Sequence, residues 1–284
     1  MTSLPPDVLP DGVPNVLLDP RTTGSQRAAA GATGRFVSRS RLAIGALYWF
    51  AWLSVSRRAA VGTGVRREFE NLGVGALRLV ASSAVLMGLI ATFQVAAQLA
   101  QYGAQSVSIS AIGWFGAREL GPIAVALLVV ARSASAIAGE LASMRANAEI
   151  DALRAMGLDP VKYLIAPKLA ALFFALPFLT IIADGLIVLG GLIGALAVLG
   201  FGTSFFFETF RGAFTLRDMA IGLFKSVTFA FVIIFIAADE GLNVESRVTA
   251  ISEAATRAVI FSVVGVLAAD TVVNAVFYFI PRLL

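Results

Sequence analysis

The chain contains neither cysteine nor histidine among its 284 residues. Without cysteine it can form no disulfide and no thiolate nucleophile, and without either residue type it has no Cys/His zinc site. The absence of histidine also removes the commonest general acid–base group. No G-x-x-x-x-G-K-[ST] sequence is present, so the chain lacks the loop that cradles nucleotide phosphates in P-loop ATPases. We therefore expect a protein that is not an enzyme and that needs no cofactor and no metal.

Charged residues are also scarce, at 14% of the chain against about 25% in a soluble domain. Hydrophobic residues make up 58%, and the mean hydropathy is +0.85. The apolar residues form runs of the length, about 20 residues, that spans a bilayer as a helix. The composition predicts an all-α integral membrane protein. Its net charge of +4 indicates topology and contact with lipid headgroups, not a nucleic-acid partner.

Five apolar runs are predicted to span the membrane. They are Leu79–Leu99, Ile123–Ala142, Leu169–Leu199, Met219–Ala238 and Ala258–Ile280. The segments Gly113–Gly121 and Phe201–Arg217 are predicted to be outer loops that contain re-entrant or interfacial pieces.

The N-terminal 70 residues precede these runs and differ from them in composition. Residues 1–34 are rich in Pro, Gly, Ala and Thr and are predicted to be a disordered cytoplasmic tail. Residues 35–70 form a basic region around the apolar run Leu42–Val55, which is too short to span. Its Tyr and Trp residues and flanking arginines predict a helix lying in the inner membrane interface. A signal peptide is the alternative, but the run begins late and no small-residue cleavage site follows it.

The distribution of arginine and lysine predicts the orientation. From Arg21 to Arg67 there are nine arginines and no acidic residue, and the loop from Arg145 to Lys168 is also basic. Because basic loops stay in the cytoplasm, these regions are predicted to be cytoplasmic. Five spans then place the C-terminus outside.

A short charged segment, Glu149–Met156, lies between the second and third spans. Asn147 is predicted to cap it, and its acidic residues lie in the first turn, where the helix dipole favours them. Gly157 and Pro160 are predicted to end it. A membrane protein that holds such a helix between two spans can present it to a cytoplasmic partner, although a solvated connector has the same signature.

Several ionisable residues lie in or near the predicted spans. They are Arg118, Glu119, Arg132, Glu140, Asp184, Lys225 and Asp270. Such groups are costly in a membrane and usually pair or face water. Arg118, Glu119 and Asp270 are predicted near the interface, and the three residues Arg132, Asp184 and Lys225 deeper. Ion pairing that holds the helices in register is favoured over contact with a lipid headgroup, and a proton relay is the third alternative. Lys225 is predicted to pair with Glu119 or Asp184.

Small residues recur every four positions in the second span. One row is Ala131, Ser135 and Gly139, and the adjacent row is Ala134, Ala138 and Ala142. Such rows allow membrane helices to approach closely. Tight packing within one subunit accounts for them, and a dimer interface is the alternative.

Several motifs together resemble one family. In order they are Glu119-Leu-Gly-Pro122, Arg132, Glu140-Leu, Glu149-Ile-Asp151-Ala-Leu, Met156-Gly, Asp159-Pro160, Asp184-Gly, Gly190-Gly191 and Gly222-Leu-Phe-Lys225. Over roughly residues 72–279 the chain resembles the MlaE/YrbE-type permeases, which are membrane subunits of lipid ABC transporters working with MCE-domain proteins. The segment from Asp239 to Arg257 departs from the pattern, because the paired glycines of the family are missing there.

The resemblance implies a homodimeric inner-membrane permease whose domain covers residues 71–284. It implies a membrane lipid as substrate, an MCE-domain lipid-binding partner and a separate cytoplasmic ABC ATPase. The residues implied to contact the ATPase are Glu149, Ile150, Asp151, Leu153, Arg154 and Met156.

Two other functions remain as alternatives. An ion-coupled secondary transporter would explain carboxylates in the spans, but such proteins usually have more spans and an internal repeat. An intramembrane enzyme is less favoured, because neither H-E-x-x-H nor G-x-S-x-G is present.

Overall fold

The computed structural model describes residues 59–104, 106–197, 199–244 and 248–279, and within these ranges the chain is helical with no strand. The predicted tail, residues 1–34, and the predicted interfacial helix Leu42–Val55 lie outside the described residues. The C-terminal residue, Leu284, also lies outside them.

Eight helices follow one another in the described ranges. They are α1 Ala59–Leu72, α2 Leu77–Ala100, α3 Val107–Ala146, α4 Glu149–Ala155, α5 Val161–Ala197, α6 Thr203–Ala213, α7 Leu216–Leu242 and α8 Val248–Phe279. A single 3₁₀ turn, Val74–Ala76, joins α1 to α2.

Five segments among the described residues are long and apolar enough to cross a membrane, which confirms the predicted all-α membrane fold. They are Gly64–Ala100, Val107–Ala146, Val161–Ala197, Leu216–Leu242 and Ala250–Phe279. The segments are 27 to 40 residues long. At about 1.5 Å per residue, helices of this length exceed the roughly 30 Å hydrocarbon core. Their ends therefore extend beyond the apolar layer.

The second span begins earlier than predicted. Gly113–Gly121, predicted as an outer loop, is helical and forms part of α3, which starts at Val107. Glycine is a loop signal in soluble proteins, but in membrane helices small residues allow close packing. Here Gly113 and Gly116 are buried against neighbouring helices. In Phe201–Arg217, by contrast, α6 is a short separate helix, in line with the predicted interfacial piece.

Helix α3 is not a uniform α-helix. Two stretches of it, Ile112–Leu120 and Val130–Ala134, are π-helical. Each contains an arginine, Arg118 in the first and Arg132 in the second. Because π-helical turns occur frequently at functional sites, these two stretches are candidate functional positions of α3.

The helices pack around α7, which contacts α3, α5 and α8, while α2 packs along α5. The backbones of α2 and α5 approach closely at Gly88 and Gly190. A Cβ atom on Gly88 would overlap the carbonyl of Ile187, and one on Gly190 would overlap the carbonyl of Val85. These glycines are therefore required by the packing of the two spans.

The two rows of small residues in α3 have different surroundings. Ala134, Ala138 and Ala142 are buried within the subunit. At Ala138 the backbone lies so close to α7 that a Cβ on Gly241 would be 2.8 Å from the Ala138 carbonyl oxygen. Packing within one subunit thus accounts for this row. In the other row Ala131 is exposed and Ser135 is half-buried.

Candidate functional site

The charged helix α4 lies at the tight connection between α3 and α5. Ala148 adopts a left-handed conformation with φ of 58° and stands at the N-cap position. The predicted cap by Asn147 is wrong, because Asn147 ends α3, with its N–H donating to the Ser143 carbonyl at 3.0 Å. The side-chain amide of Asn147 reaches the Glu149 carboxylate instead, at 3.4 Å.

The C-terminal end of α4 follows the predicted stop. The N–H of Leu158 donates to the Leu153 carbonyl at 3.0 Å, and the N–H of Gly157 donates to the Arg154 carbonyl at 2.9 Å. With Gly157 at φ of 74°, this is a Schellman motif. The Asp159 carboxylate then accepts from the N–H of Val161 at 2.9 Å and so helps to start α5. Helix α4 therefore has a defined beginning and end.

The side chains of α4 divide into an inner and an outer set. Ile150 is buried and anchors the helix to its own subunit, while Leu153 is half-buried. Glu149, Arg154 and Met156 are exposed, and Met156 has 66% of its surface accessible. A methionine so exposed at a helix end, beside charged residues, is available for contact with another protein.

Asp151 is held within the subunit, although it is also exposed. Its carboxylate accepts from Arg145 of α3 at 2.7 Å and lies 3.6 Å from Arg154. The first of these pairs ties the orientation of α4 to the last turn of α3.

A second polar site surrounds Lys225 in the middle of the bundle. Lys225 is fully buried, and its Nζ lies 2.6 Å from Glu119 Oε2 and 2.8 Å from Asp270 Oδ1. The amide of Asn274 donates to both carboxylates, at 3.3 Å and 3.1 Å. The four residues come from α3, α7 and α8, so this cluster joins three helices.

The structure brings only one of the two predicted partners to Lys225. Glu119 is in contact, and Asp184 is not. Asp270, predicted near the interface and not as a partner, is a buried member of the cluster. Sequence reasoning missed Asn274 altogether, although its position four residues after Asp270 places both side chains on one face of a helix.

Arg118 lies at the edge of this cluster. Its guanidinium is 3.9 Å from Glu119 and 3.9 Å from Asp218, and 31% of its side chain is exposed. It is thus more loosely paired and more accessible than Lys225.

A third polar group lies where α1, α3 and α5 meet. Lys168 Nζ lies 2.9 Å from Glu68 Oε1 and 2.8 Å from Glu140 Oε2. Arg132 pairs with no carboxylate in the described residues and donates instead to the backbone carbonyl of Asn71 at 2.9 Å. These residues line a polar cavity of about 460 Å³. Of them, the sequence reasoning named Arg132 and Glu140 but not Lys168 or Glu68.

The segment that departs from the family pattern, Asp239–Arg257, forms contacts among its own residues where α7 ends and α8 begins. Arg257 of α8 donates to the Glu240 carboxylate at 3.0 Å and lies 3.6 Å from Glu253. Asn243 donates to the backbone and side chain of Asp239, at 3.0 Å and 2.8 Å.

Within the described residues, no group of three or more Asp or Glu side chains is arranged to hold a metal ion.

Comparison with known proteins identifies the family of the chain. A model for the family described as Permease MlaE matches residues 65–276. A probable ABC transporter permease protein of Rickettsia felis is 27% identical over 253 residues, covering 88% of this chain and 97% of that protein. A probable ABC transporter permease protein of Synechocystis is 28% identical over 199 residues, covering 70% of this chain and 76% of that protein.

A chloroplast relative is longer than these. It is Protein TRIGALACTOSYLDIACYLGLYCEROL 1 of Arabidopsis thaliana, 27% identical over 212 residues. The match covers 75% of this chain and 61% of the plant protein, so less than two thirds of that relative has a counterpart here.

Proposed function

The chain belongs to the MlaE permease family, and we propose that it is the lipid-translocating membrane subunit of an ABC transporter whose energy comes from a separate ATPase. Permease relatives favour this function over the ion-coupled transporter and over the intramembrane enzyme. One relative carries the name of a glycerolipid, which supports a lipid as the substrate class.

The observation that carries the proposal is the geometry of α4. It is a capped helix with a defined stop, its buried Ile150 fixes it to the subunit, and its outer side chains are exposed. We propose that Glu149, Leu153, Arg154 and Met156 contact the ATPase. Asp151 contributes through its ion pair with Arg145, which transmits the position of α4 to α3.

The Lys225 cluster places charged side chains between three membrane-spanning helices. Its three charged residues, Lys225, Glu119 and Asp270, bridge α3, α7 and α8, and the partly exposed Arg118 lies at its edge. We propose that the buried charges hold the three helices in register, while Arg118 is available to an anionic lipid headgroup.

The remaining parts of the proposal concern assembly and orientation. We propose a homodimer in the inner membrane, an MCE-domain protein as the partner that exchanges lipid, and a cytoplasmic location for α4 and the N-terminus. The asymmetry of arginine and lysine supports this orientation.

The test is co-expression of the chain with its neighbouring genes, purification in mild detergent, and mass spectrometry of the co-eluting proteins and lipids. We expect an ABC ATPase, an MCE-domain protein and bound phospholipid, with ATPase activity in the complex. Purification of a single protein without ATPase activity, under conditions that preserve the folded chain, would contradict the proposal.

A further inference from the structure

A pocket of about 290 Å³ lies between α3, α5, α6 and the start of α7, apart from the Lys225 cluster. Its walls are apolar and include Ile112, Val188, Phe210, Phe214 and Met219. None of the residues of the Lys225 cluster lines it. The polar side chain that does line it is Asp184.

Asp184 has no hydrogen-bond or ion-pair partner among the described residues, and its Oδ1 atom is buried. The carboxyl group lies against the backbone of α3 at Gly121, where a Cβ atom would overlap Oδ1. The other acidic residues that were predicted in the spans differ in this respect: Glu119 and Asp270 contact Lys225, and Glu140 contacts Lys168. An ionised carboxyl group in a membrane span is costly without a cation beside it, so a cationic group that enters the pocket would stabilise the charged form of Asp184.

The pocket combines this carboxyl group with aromatic rings. Phe210 and Phe214 are stacked, with ring centroids 5.4 Å apart and planes inclined by 13°. Phe206, one turn earlier in α6, is fully buried and stacks on Phe210 at 6.2 Å, which fixes α6 to the bundle. Aromatic faces attract cations and are used to recognise quaternary ammonium groups.

The pocket is also reachable from the side of the bundle. Ile181, one turn before Asp184 in α5, lines the pocket and is 50% exposed, and Gly185 beside it is exposed as well. Both residues lie on a long apolar helix that is predicted to span the membrane. A membrane lipid can therefore reach the pocket laterally.

From these observations we infer that the Asp184 pocket binds the ammonium headgroup of an aminophospholipid. The ammonium supplies a cation to Asp184, and the ring of Phe214 contacts its other side. An anionic headgroup is disfavoured, because it would bring a second negative charge to an apolar pocket. The inference goes beyond the proposed function, since it requires neither an ATPase nor transport.

The test uses the full-length chain in nanodiscs and two photoreactive lipids with identical acyl chains, phosphatidylethanolamine and phosphatidylglycerol. The second lipid has hydroxyl groups in place of the ammonium. Crosslinked peptides from α6 and the start of α7 are quantified by mass spectrometry. We expect phosphatidylethanolamine to crosslink there at least fivefold more than phosphatidylglycerol.

The variant Asp184→Asn keeps the size and polarity of the side chain but removes its charge. We expect it to lose the preference for phosphatidylethanolamine without a lower melting temperature, because Asp184 has no partner among the described residues to lose. The matched control is Glu208→Gln, which removes a carboxylate from the exposed face of α6, the helix that supplies Phe210 to the pocket. This control should retain the preference.

The inference is overturned by equal crosslinking of both lipids to the wild type. It is also overturned if Asp184→Asn keeps the preference, because the carboxylate charge would then not be needed. Loss of the preference in Glu208→Gln to the same degree would overturn it as well. If Asp184→Asn fails to fold, the same crosslinking comparison is made with the variant Phe214→Leu. That variant retains the carboxyl group and removes one ring, and an unchanged preference in it would count against the site.

Discussion

Replacing Lys225 by methionine tests whether the buried charges hold the bundle together. Lys225 is fully buried and contacts two carboxylates, those of Glu119 and Asp270. In Lys225→Met these two carboxylates remain side by side with only the amide of Asn274 between them. Breaking a buried ion pair by removing one partner costs about 3–5 kcal/mol, because the other charge stays buried without compensation.

The composition of the cluster predicts an order among the single variants. With one cation and two carboxylates, Lys225→Met leaves two like charges, whereas Glu119→Gln or Asp270→Asn leaves one cation with one carboxylate. Each of the latter changes should cost only the lost charged hydrogen bond, about 1.5–3 kcal/mol. Lys225→Met should therefore be the most destabilising of the three.

Neutralising the whole cluster should recover most of the loss. The triple variant Lys225→Met, Glu119→Gln, Asp270→Asn contains no buried charge, and replacing a complete buried ion cluster is often close to neutral. Adding Asp184→Asn to Lys225→Met is the matched control, because Asp184 lies in a different pocket. This double variant should differ from Lys225→Met only by the effect that Asp184→Asn has alone.

The assay is thermal unfolding in mild detergent together with expression level and lipid transport. A loss of about 3–5 kcal/mol corresponds to a fall in melting temperature on the order of 10 °C for a domain of this size. The reasoning is refuted if Lys225→Met melts within about 2 °C of the wild type, a shift that corresponds to roughly 1 kcal/mol or less. If it melts normally but transport is lost and the triple variant does not recover it, the cluster serves the lipid path and not the scaffold.

Three further predictions concern other parts of the molecule. Met156→Asp puts a charge on the exposed methionine at the end of α4 and should abolish co-purification of the ATPase, at a cost of a few kcal/mol to that contact, without changing the melting temperature. An unchanged complex would show that α4 is only a connector. Single cysteines at Ala152 and Leu284 should be labelled by an impermeant thiol reagent from the cytoplasmic and the outer side respectively, and the reverse pattern would invert the topology. Gly190→Leu should prevent the close approach of α2 and α5 and strongly reduce the yield of folded protein, whereas Gly212→Leu, where a side chain meets open space, should not.

The sequence predicted the spans well because their signal is local. A run of about 20 apolar residues has few alternatives to a membrane helix. The start of α3 was missed because the glycines of Gly113–Gly121 indicate a loop by themselves, and only their contacts with other helices show that they are packing positions.

The partners of the buried charges could be predicted only in part. Glu119 and Asp184 were the predicted partners of Lys225, but the position of a residue along its span does not show that Asp270, and not Asp184, joins Glu119 there. That choice depends on which face of its helix each residue occupies once the helices are packed. Asp270 lies on the side of α8 that meets α3 and α7, while Asp184 faces the pocket closed by α6. For the same reason Lys168 was not predicted as the partner of Glu140. The two residues lie on different helices, separated by α4 in the sequence, and come together only when those helices pack.

Helix α3 contributes to several of the polar groups of the bundle. It contributes Glu119 to the Lys225 cluster, and Glu140 and Arg132 to the polar cavity near α1 and α5. Its backbone at Gly121 supports the carboxyl group of Asp184. In the last turn of α3, Arg145 pairs with Asp151, which lies in the first turn of α4. We expect a displacement of α4 by a partner to be passed to α3, because a short connection and the Arg145–Asp151 ion pair join the two helices. The two π-helical stretches carry Arg118 and Arg132, so the places where α3 departs from regular helix geometry coincide with the places where it bears charge. We therefore expect α3 to be the helix that links a contact at α4 to the polar groups within the bundle.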